Sequence, residues 1–368
     1  MSNLFAISEI NGMQLANRFV RSATWEGMAT DDGAVTPKLT ETMVNLAQGG
    51  VGLIISSHAY VSPEGQAGPW QLGVYKDELM PGLKDMANAV HSKGSKIVMQ
   101  LAHAGNFSNA KLTGQTPCVP SVVEGLSKSP RRELSGPDIK RITEAFVAAA
   151  QRAKSAGFDG VQIHSAHGYL LSQFLSPMFN QRQDEYGGDI KNRAKLHLDI
   201  FQAIRTAVGI DYPVLVKLNC QDFADNGLNQ EDSLQVGKML ADAGIDAIEL
   251  SGGLLSSRKL SPSRRGIKTE DKEAYFRTEA AAMKKQTGVP LILVGGMRSF
   301  GVAEKLVADG VADYISLSRP FIREPGLINR WKSGDLRKAA CKSDNQCFEP
   351  AMQGGGIYCV TAEREAAS

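Results

Sequence analysis

Residues 139–164 read IKRITEAFVAAAQRAKSAGFDGVQIH. Ile139, Ile142, Phe146, Val147 and Ala150 recur at helical spacing, Gly157 follows, and 160–164 is a short apolar run that ends in histidine. The order is helix, glycine, strand. A glycine just past a helix C-terminus takes a left-handed conformation cheaply. Gly94, Gly209, Gly244, Gly288 and Gly310 stand in the same relation to the runs that follow them.

Extending this reading along the chain gives strand candidates at 19–23, 51–56, 96–101, 160–164, 214–218, 247–250, 291–294 and 314–317. Helical patterns separate them, for example Leu196, Leu198, Ile200 and Ile204. Strands alternating with helices predict a parallel sheet with crossover connections. Eight such units favour an α/β fold of one closed (β/α)8 TIM barrel over an open doubly wound sheet. The barrel is expected over 1–331. Residues 107–137, rich in Ser, Pro, Gly and Lys, are too long for an ordinary loop and are expected to cap the C-terminal mouth. Residues 332–368 form a tail outside the eight units that holds three of the five cysteines.

Composition narrows the function classes. Among 368 residues, 41 basic and 39 acidic side chains leave a net charge of +2, which gives no excess for neutralising nucleic-acid phosphates. The 42% hydrophobic content can fill a core. No apolar run approaches the roughly 20 residues of a membrane span. Residues 1–14 lack a basic segment before an apolar one and include Glu9, so no signal peptide is expected and the chain reads as cytoplasmic. Cys118, Cys220, Cys341, Cys347 and Cys359 are an odd set in a long chain, which suits reduced thiols or a metal site better than a disulfide scaffold.

Active sites of such barrels gather at the C-terminal ends of the strands. The fourth strand ends His164-Ser-Ala-His167-Gly-Tyr169. Three readings are open: satisfied loop histidines, a zinc pair on His-x-x-His spacing with no companion motif, or two N–H donors on a substrate oxygen with Tyr169 as proton donor. After the seventh strand comes Gly295-Gly296, and the eighth ends Leu317-Ser318-Arg319. Loops in these places commonly bind phosphate through backbone N–H groups, a helix N-terminus and an arginine fork. Gln100 closes the third strand and Lys217 lies within the fifth. A lysine in an apolar strand must be paired or face a ligand; a Schiff base, a cation beside an electron-rich ring and a salt bridge all remain open.

These residues, with the stretch 162–188 that contains IHSAHGYLLSQFLSPMFNQRQDEYGG and is followed by Asn192-Arg193, make the chain resemble the Old Yellow Enzyme family of FMN-dependent ene-reductases across all eight strands. The resemblance implies a TIM barrel holding FMN at its mouth. It places the backbone of Ala23 and Thr24 along the flavin edge with Ala59 nearby, Gln100 on the pyrimidine ring, Lys217 beside N1 and O2, and Gly296, Ser318 and Arg319 at the phosphate. His164 and His167 would grip a carbonyl, carboxylate or nitro oxygen. The implied reaction takes electrons from NAD(P)H and reduces an activated C=C bond, with hydride from flavin N5 and a proton from Tyr169.

Trp25 stands where many members carry a cysteine or threonine that tunes the flavin. Larger relatives continue into a [4Fe-4S] site and nucleotide-binding domains. Here Cys341, Asp344, Cys347 and Cys359 match that cluster spacing, with aspartate in the second place. An iron–sulfur cluster on these four is chemically allowed but not favoured over a vestigial tail packed on the barrel, and no further domain is expected. The resemblance also admits a homo-oligomer, a 2-enoate or 2,4-dienoyl-thioester reductase fed through an iron–sulfur centre by a partner, and a flavin-binding protein without turnover.

Overall fold

The computed structural model describes residues 2–127 and 129–367; Met1, Lys128 and Ser368, which bound or interrupt the barrel, cap and tail segments, lie outside the described residues. Eight parallel strands close on themselves: β1 (Phe19–Arg21), β2 (Leu53–Tyr60), β3 (Lys96–Ala102), β4 (Gly160–Ser165), β5 (Val214–Asn219), β6 (Ala247–Ser251), β7 (Leu291–Val294) and β8 (Tyr314–Leu317). The ring closes where Ile315, Ser316 and Leu317 pair with Phe19, Val20 and Arg21. Every residue of β5 is buried, as expected of a barrel strand covered on both sides. The expected (β/α)8 barrel is the fold.

Helices α1 (Pro37–Gln48), α2 (Met80–His91), α3 (Gly136–Ser155), α4 (Ile190–Val208), α5 (Gln230–Ala243), α6 (Arg277–Thr287) and α7 (Phe300–Ala308) cover the strands. All six junction glycines adopt positive φ, between +69° and +96°. Each places the strand's start directly against the end of its preceding helix.

Most strand boundaries fall within two residues of the sequence reading, and three differences bear on the site and its surroundings. The second strand runs to Tyr60 rather than to 56, because a register shift between Ile55 and His58 lets the ladder continue past two serines. Such a bulge re-aims the residues after it. The cap ends at Ser135, not 137. The Ser135 side chain accepts from the Asp138 N–H, the Asp138 carboxylate accepts from the Ser135 N–H, and Pro137 sits in the first turn, so α3 begins at Gly136. The first strand stops at Arg21, two residues early.

The N-terminal segment forms an antiparallel hairpin, Ser8–Ile10 with Met13–Leu15. Its Ile10, Met13 and Leu15 pack with Val20, Leu53, Val98, Leu215, Ala247, Ile292 and Tyr314, which lie at or near the strand starts. The hairpin therefore closes the N-terminal end of the barrel and leaves the other end as the mouth. Cap residues add a helical turn, Ala110–Thr113, and a short parallel pair, Cys118–Val119 with Arg132–Glu133.

Candidate active site

Strand register builds the site in layers. His58 of β2 lies beside Gln100 of β3, which lies beside Gln162 of β4. His164 of β4 lies beside Lys217 of β5, which lies beside Glu249 of β6. Such neighbours across a parallel ladder point the same way, so a band of polar side chains replaces the apolar filling at the mouth end.

Gln100, Gln162, Glu249 and Lys217 of this band are joined in one network with Ser22 and Ser316. Gln100 Nε2 donates to Gln162 Oε1 at 2.7 Å, and Gln162 Nε2 donates to Glu249 Oε2 at 3.0 Å. Glu249 Oε1 also accepts from Ser22 Oγ at 2.7 Å and from Ser316 Oγ at 2.9 Å. Lys217 Nζ lies 2.7 Å from Ser22 Oγ and 3.2 Å from Glu249 Oε1. Burial pushes the Lys217 ammonium below its ordinary value, and the Glu249 carboxylate opposes that shift. Burial works against the Glu249 carboxylate too, but Lys217 and the Ser22, Gln162 and Ser316 donors outweigh it and hold the acid below its ordinary value. Of the readings open for Lys217, the salt bridge is present. Its partner and Gln162 went unrecognised in the sequence, where Glu249 reads only as one polar residue in an apolar run.

Above the band sits an aromatic cup. The His164 ring centroid lies 5.4 Å from His167, 4.8 Å from Tyr169 and 6.2 Å from His58. His164 is buried and makes no side-chain hydrogen bond among the described residues; its Nδ1 is shielded and unpartnered. His167, at φ +63°, donates its N–H to Asn219 Oδ1, and its Nε2 lies 2.8 Å from Ser251 Oγ. Only the other ring nitrogen is free for a ligand. Burial, reinforced by Lys217 and by the neighbouring histidines, holds both His164 and His167 well below the ordinary histidine value. They are neutral at physiological pH. Burial raises the Tyr169 phenol, which keeps its proton. His58, 5.4 Å from Tyr169 in a T-shaped contact, is a third histidine of this cup that the sequence reading missed. Its position two residues past the expected end of the second strand hid it.

A cavity of about 50 Å³ opens beside the band and shares Ser316 with it; Gly296, Ser318, Arg319, Arg298, Tyr275 and Ser343 are among its walls. Arg319 Nη1 donates to the Arg264 carbonyl at 2.9 Å and to Asn345 Oδ1 at 2.6 Å. Arg298 donates to the carbonyls of Ile267 and Ala339, and its Nε is buried without a partner. Neither guanidinium has an ion-pair partner among the described residues. Gly296, at φ +71°, leaves no room for a Cβ, which would lie 2.7 Å from the Tyr275 ring.

Just ahead of α7, Glu273, fully buried, accepts from the N–H groups of Arg298 at 2.7 Å and Ser299 at 2.8 Å and from Ser299 Oγ at 2.8 Å, which fixes the turn between Gly296 and the helix; the N-cap residue Ser299 makes no side-chain capping bond to α7 itself. The polar walls of the cavity are guanidinium, hydroxyl and glycine backbone.

The other expected residues line the same region. Thr24 Oγ1 is 2.7 Å from Ser318 Oγ and donates to the Ser22 carbonyl at 3.0 Å, joining the first and last strand ends. Ala23 is half-buried and Ala59 fully buried. Trp25 is half-buried with its indole N–H shielded and unpartnered.

The tail packs around the mouth. The Ile357 N–H donates to the Glu26 carbonyl at 2.8 Å, Gly266 N–H to that of Ser343 at 3.0 Å, and Lys38 Nζ to that of Gly355 at 2.6 Å. Ser343 and Asn345 thus reach the Arg319 cavity, a role no local motif announces. Among the described residues no three His, Cys, Asp or Glu side chains are gathered to hold a metal ion. Asp344 instead accepts from Thr361 Oγ1 at 2.6 Å and from the Gln346 N–H at 3.1 Å. Cys341 and Cys347 are buried, and Cys359 is half-buried.

Known proteins resemble this chain in sequence and in fold. Residues 3–337 match the NADH:flavin oxidoreductase / NADH oxidase family. An NADH oxidase of Thermoanaerobacter brockii is 38% identical over 91% of this chain. The structure of a 2-naphthoyl-CoA reductase in complex with 2-naphthoyl-CoA superposes with a TM-score of 0.90 at 28% identity over 97% of this chain. The chain spans about half of those two proteins, 52% and 56% respectively. An old yellow enzyme homologue from Zymomonas mobilis superposes with a TM-score of 0.79 at 28% identity, over 93% of this chain and 96% of its own. The chain belongs to the NADH:flavin oxidoreductase / NADH oxidase family, that of the Old Yellow Enzymes.

Proposed function

We propose that this chain is an NAD(P)H-dependent FMN oxidoreductase that reduces C=C bonds conjugated to a carbonyl, carboxyl or nitro group. The observation that carries the reading is the cup: two buried neutral histidines and a protonated tyrosine within ring-contact distance, beside a buried lysine and amide band.

The residues fit FMN. Two guanidinium groups with only neutral oxygens as partners want an anion, and Arg319, Ser318 and the Gly296 backbone would hold its phosphate. The amide of Gln100 and the ammonium of Lys217 suit the polar edge of the ring, with Ala23, Thr24 and Ala59 beside it. When bound, FMN supplies two-electron transfer from a nicotinamide nucleotide to the alkene.

The chain's own work is acid and electrostatic. A substrate oxygen takes a hydrogen bond from His164 and one from the His167 nitrogen that Ser251 leaves free. Both rings are neutral, so they polarise the oxygen without protonating it, and they hold it most strongly as it becomes enolate-like. Tyr169 gives its proton to Cα; the β-carbon receives the hydride, the C=C π bond is consumed, and the nucleotide is oxidised. Burial keeps the phenol protonated until the neighbouring carbon demands it.

Replacing both histidines by alanine should slow enone reduction by about 100-fold or more and weaken binding of phenol-type ligands. Unaltered turnover and phenol binding by that folded double variant contradict the reading.

A further inference from the structure

Among the described residues the Tyr169 hydroxyl has one hydrogen-bond partner, and it is neither His164 nor His167. His58 Nε2 lies 3.4 Å from the Tyr169 hydroxyl oxygen. Which of the two donates follows from the residues behind. The Ala67 N–H donates to Gln71 Oε1 at 2.7 Å, so that atom is the amide oxygen and the other is the nitrogen. Gln71 Nε2 then spends one hydrogen on the His58 carbonyl at 3.0 Å and the other on His58 Nδ1 at 2.7 Å. A nitrogen that accepts carries no proton. His58 is neutral: burial first, then the charges of Lys217 and Arg21, lower it to about 4. Its single proton therefore sits on Nε2, facing Tyr169.

We propose that His58, fixed in its Nε2–H tautomer by Gln71, is a positioning residue that donates to the Tyr169 oxygen and so turns the phenol O–H toward the substrate. This rests on Tyr169 being the proton donor of the proposed reaction. A phenol oxygen that accepts from His58 cannot aim its own hydrogen at His58, which leaves that hydrogen for the ligand side of the cup. When the proton leaves, the His58 N–H faces a phenolate, and the long bond of the resting site gains the charge-assisted strength that shortens it. His58 keeps its own proton throughout.

Gln71 is buried and its amide is committed at every position it offers to His58 and Ala67, which is the arrangement that locks a tautomer rather than fills space. The bulge between Ile55 and His58 is what brings the imidazole to this place on β2.

In holoenzyme labelled with ¹⁵N-histidine, long-range ¹H–¹⁵N correlation, assigned with His58→Gln, is expected to show His58 protonated at Nε2 and bare at Nδ1; protonation at Nδ1 overturns the proposal. Rapid mixing gives a second reading. His58→Asn leaves an amide beside Gln71 but nothing at the Nε2 place, and should slow oxidation of the reduced enzyme by 2-cyclohexenone about tenfold. His58→Gln, with an amide nitrogen near that place, should recover most of the rate. Reduction by the nicotinamide nucleotide, in which Tyr169 gives up no proton, should change far less. Equal rates in the two variants, or equal slowing of both half-reactions, overturn the proposal. Tyr169→Phe separates the failures: if it does not slow the enone step, the proton-donor reading falls; if it does and His58→Asn does not, only the role of His58 falls.

Discussion

Lys217 and Glu249 form a buried ion pair whose carboxylate also accepts from three neutral side chains. Removing one partner of such a pair leaves the other charge uncompensated, which costs about 3–5 kcal/mol. Glu249→Leu should therefore lower the unfolding free energy by that order in urea titration. A loss below about 1 kcal/mol, the range of a surface pair, would contradict a charged pair. Lys217, His164, His167 and Tyr169 were legible in the sequence because each is chemically out of place at a strand end. Gln162, Glu249 and His58 were not, because their meaning lies in partners on other strands. Glu249 is 87 residues from Gln162, and only the barrel's register brings them together.

The elements hold the cup through their ends. α3 starts at a reciprocal Ser135–Asp138 cap, and Ser135→Ala should cost about 1 kcal/mol in the same titration. Just before α7, Arg298 and Ser299 give two backbone N–H groups and one hydroxyl to the Glu273 carboxylate. Glu273→Ala strands those buried donors and should cost more, about 2 kcal/mol, while loosening the loop that carries Gly296; a cost no greater than that of Ser135→Ala would contradict this role in holding the turn. The junction glycines were readable because a left-handed residue between helix and strand has few alternatives. The extension of β2 was not: the serines at 56 and 57 look like a strand end, and only the ladder to β3 shows that they are a bulge. The phosphate-like cradle was half readable, since Gly296 and Arg319 advertise themselves, whereas Glu273, Ser343 and Asn345 arrive from a loop and a tail with no motif.

The whole molecule carries five of its six histidines below their ordinary value. Burial takes His58 and His103 to about 4 and His197 to about 3. The unfolded chain binds protons near pH 6.5 that the folded one refuses, so the unfolded state gains as pH falls. Stability should be full above pH 6.5 and decline between about 6.5 and 4, read as a falling urea midpoint; a midpoint unchanged at pH 5 would contradict the neutral cup. Among the described residues no helix is long and apolar enough to cross a membrane.

The tail belongs to the same structure: it reaches the first loop at Glu26 and the Arg319 cavity through Ser343 and Asn345. The cup, the polar band and that cavity open at one end of one barrel, and the central claim is that they serve one reaction. Its most direct measurement is an anaerobic one. The purified protein is loaded with FMN, reduced with NADH or NADPH, and mixed with 2-cyclohexenone while the flavin absorbance is followed. Bleaching by the nucleotide and full, rapid return of absorbance with one equivalent of enone are expected, accompanied by cyclohexanone. A protein that takes up no FMN, or one whose bleached flavin does not recover with any enone, carboxylic or nitro alkene, would contradict the central claim.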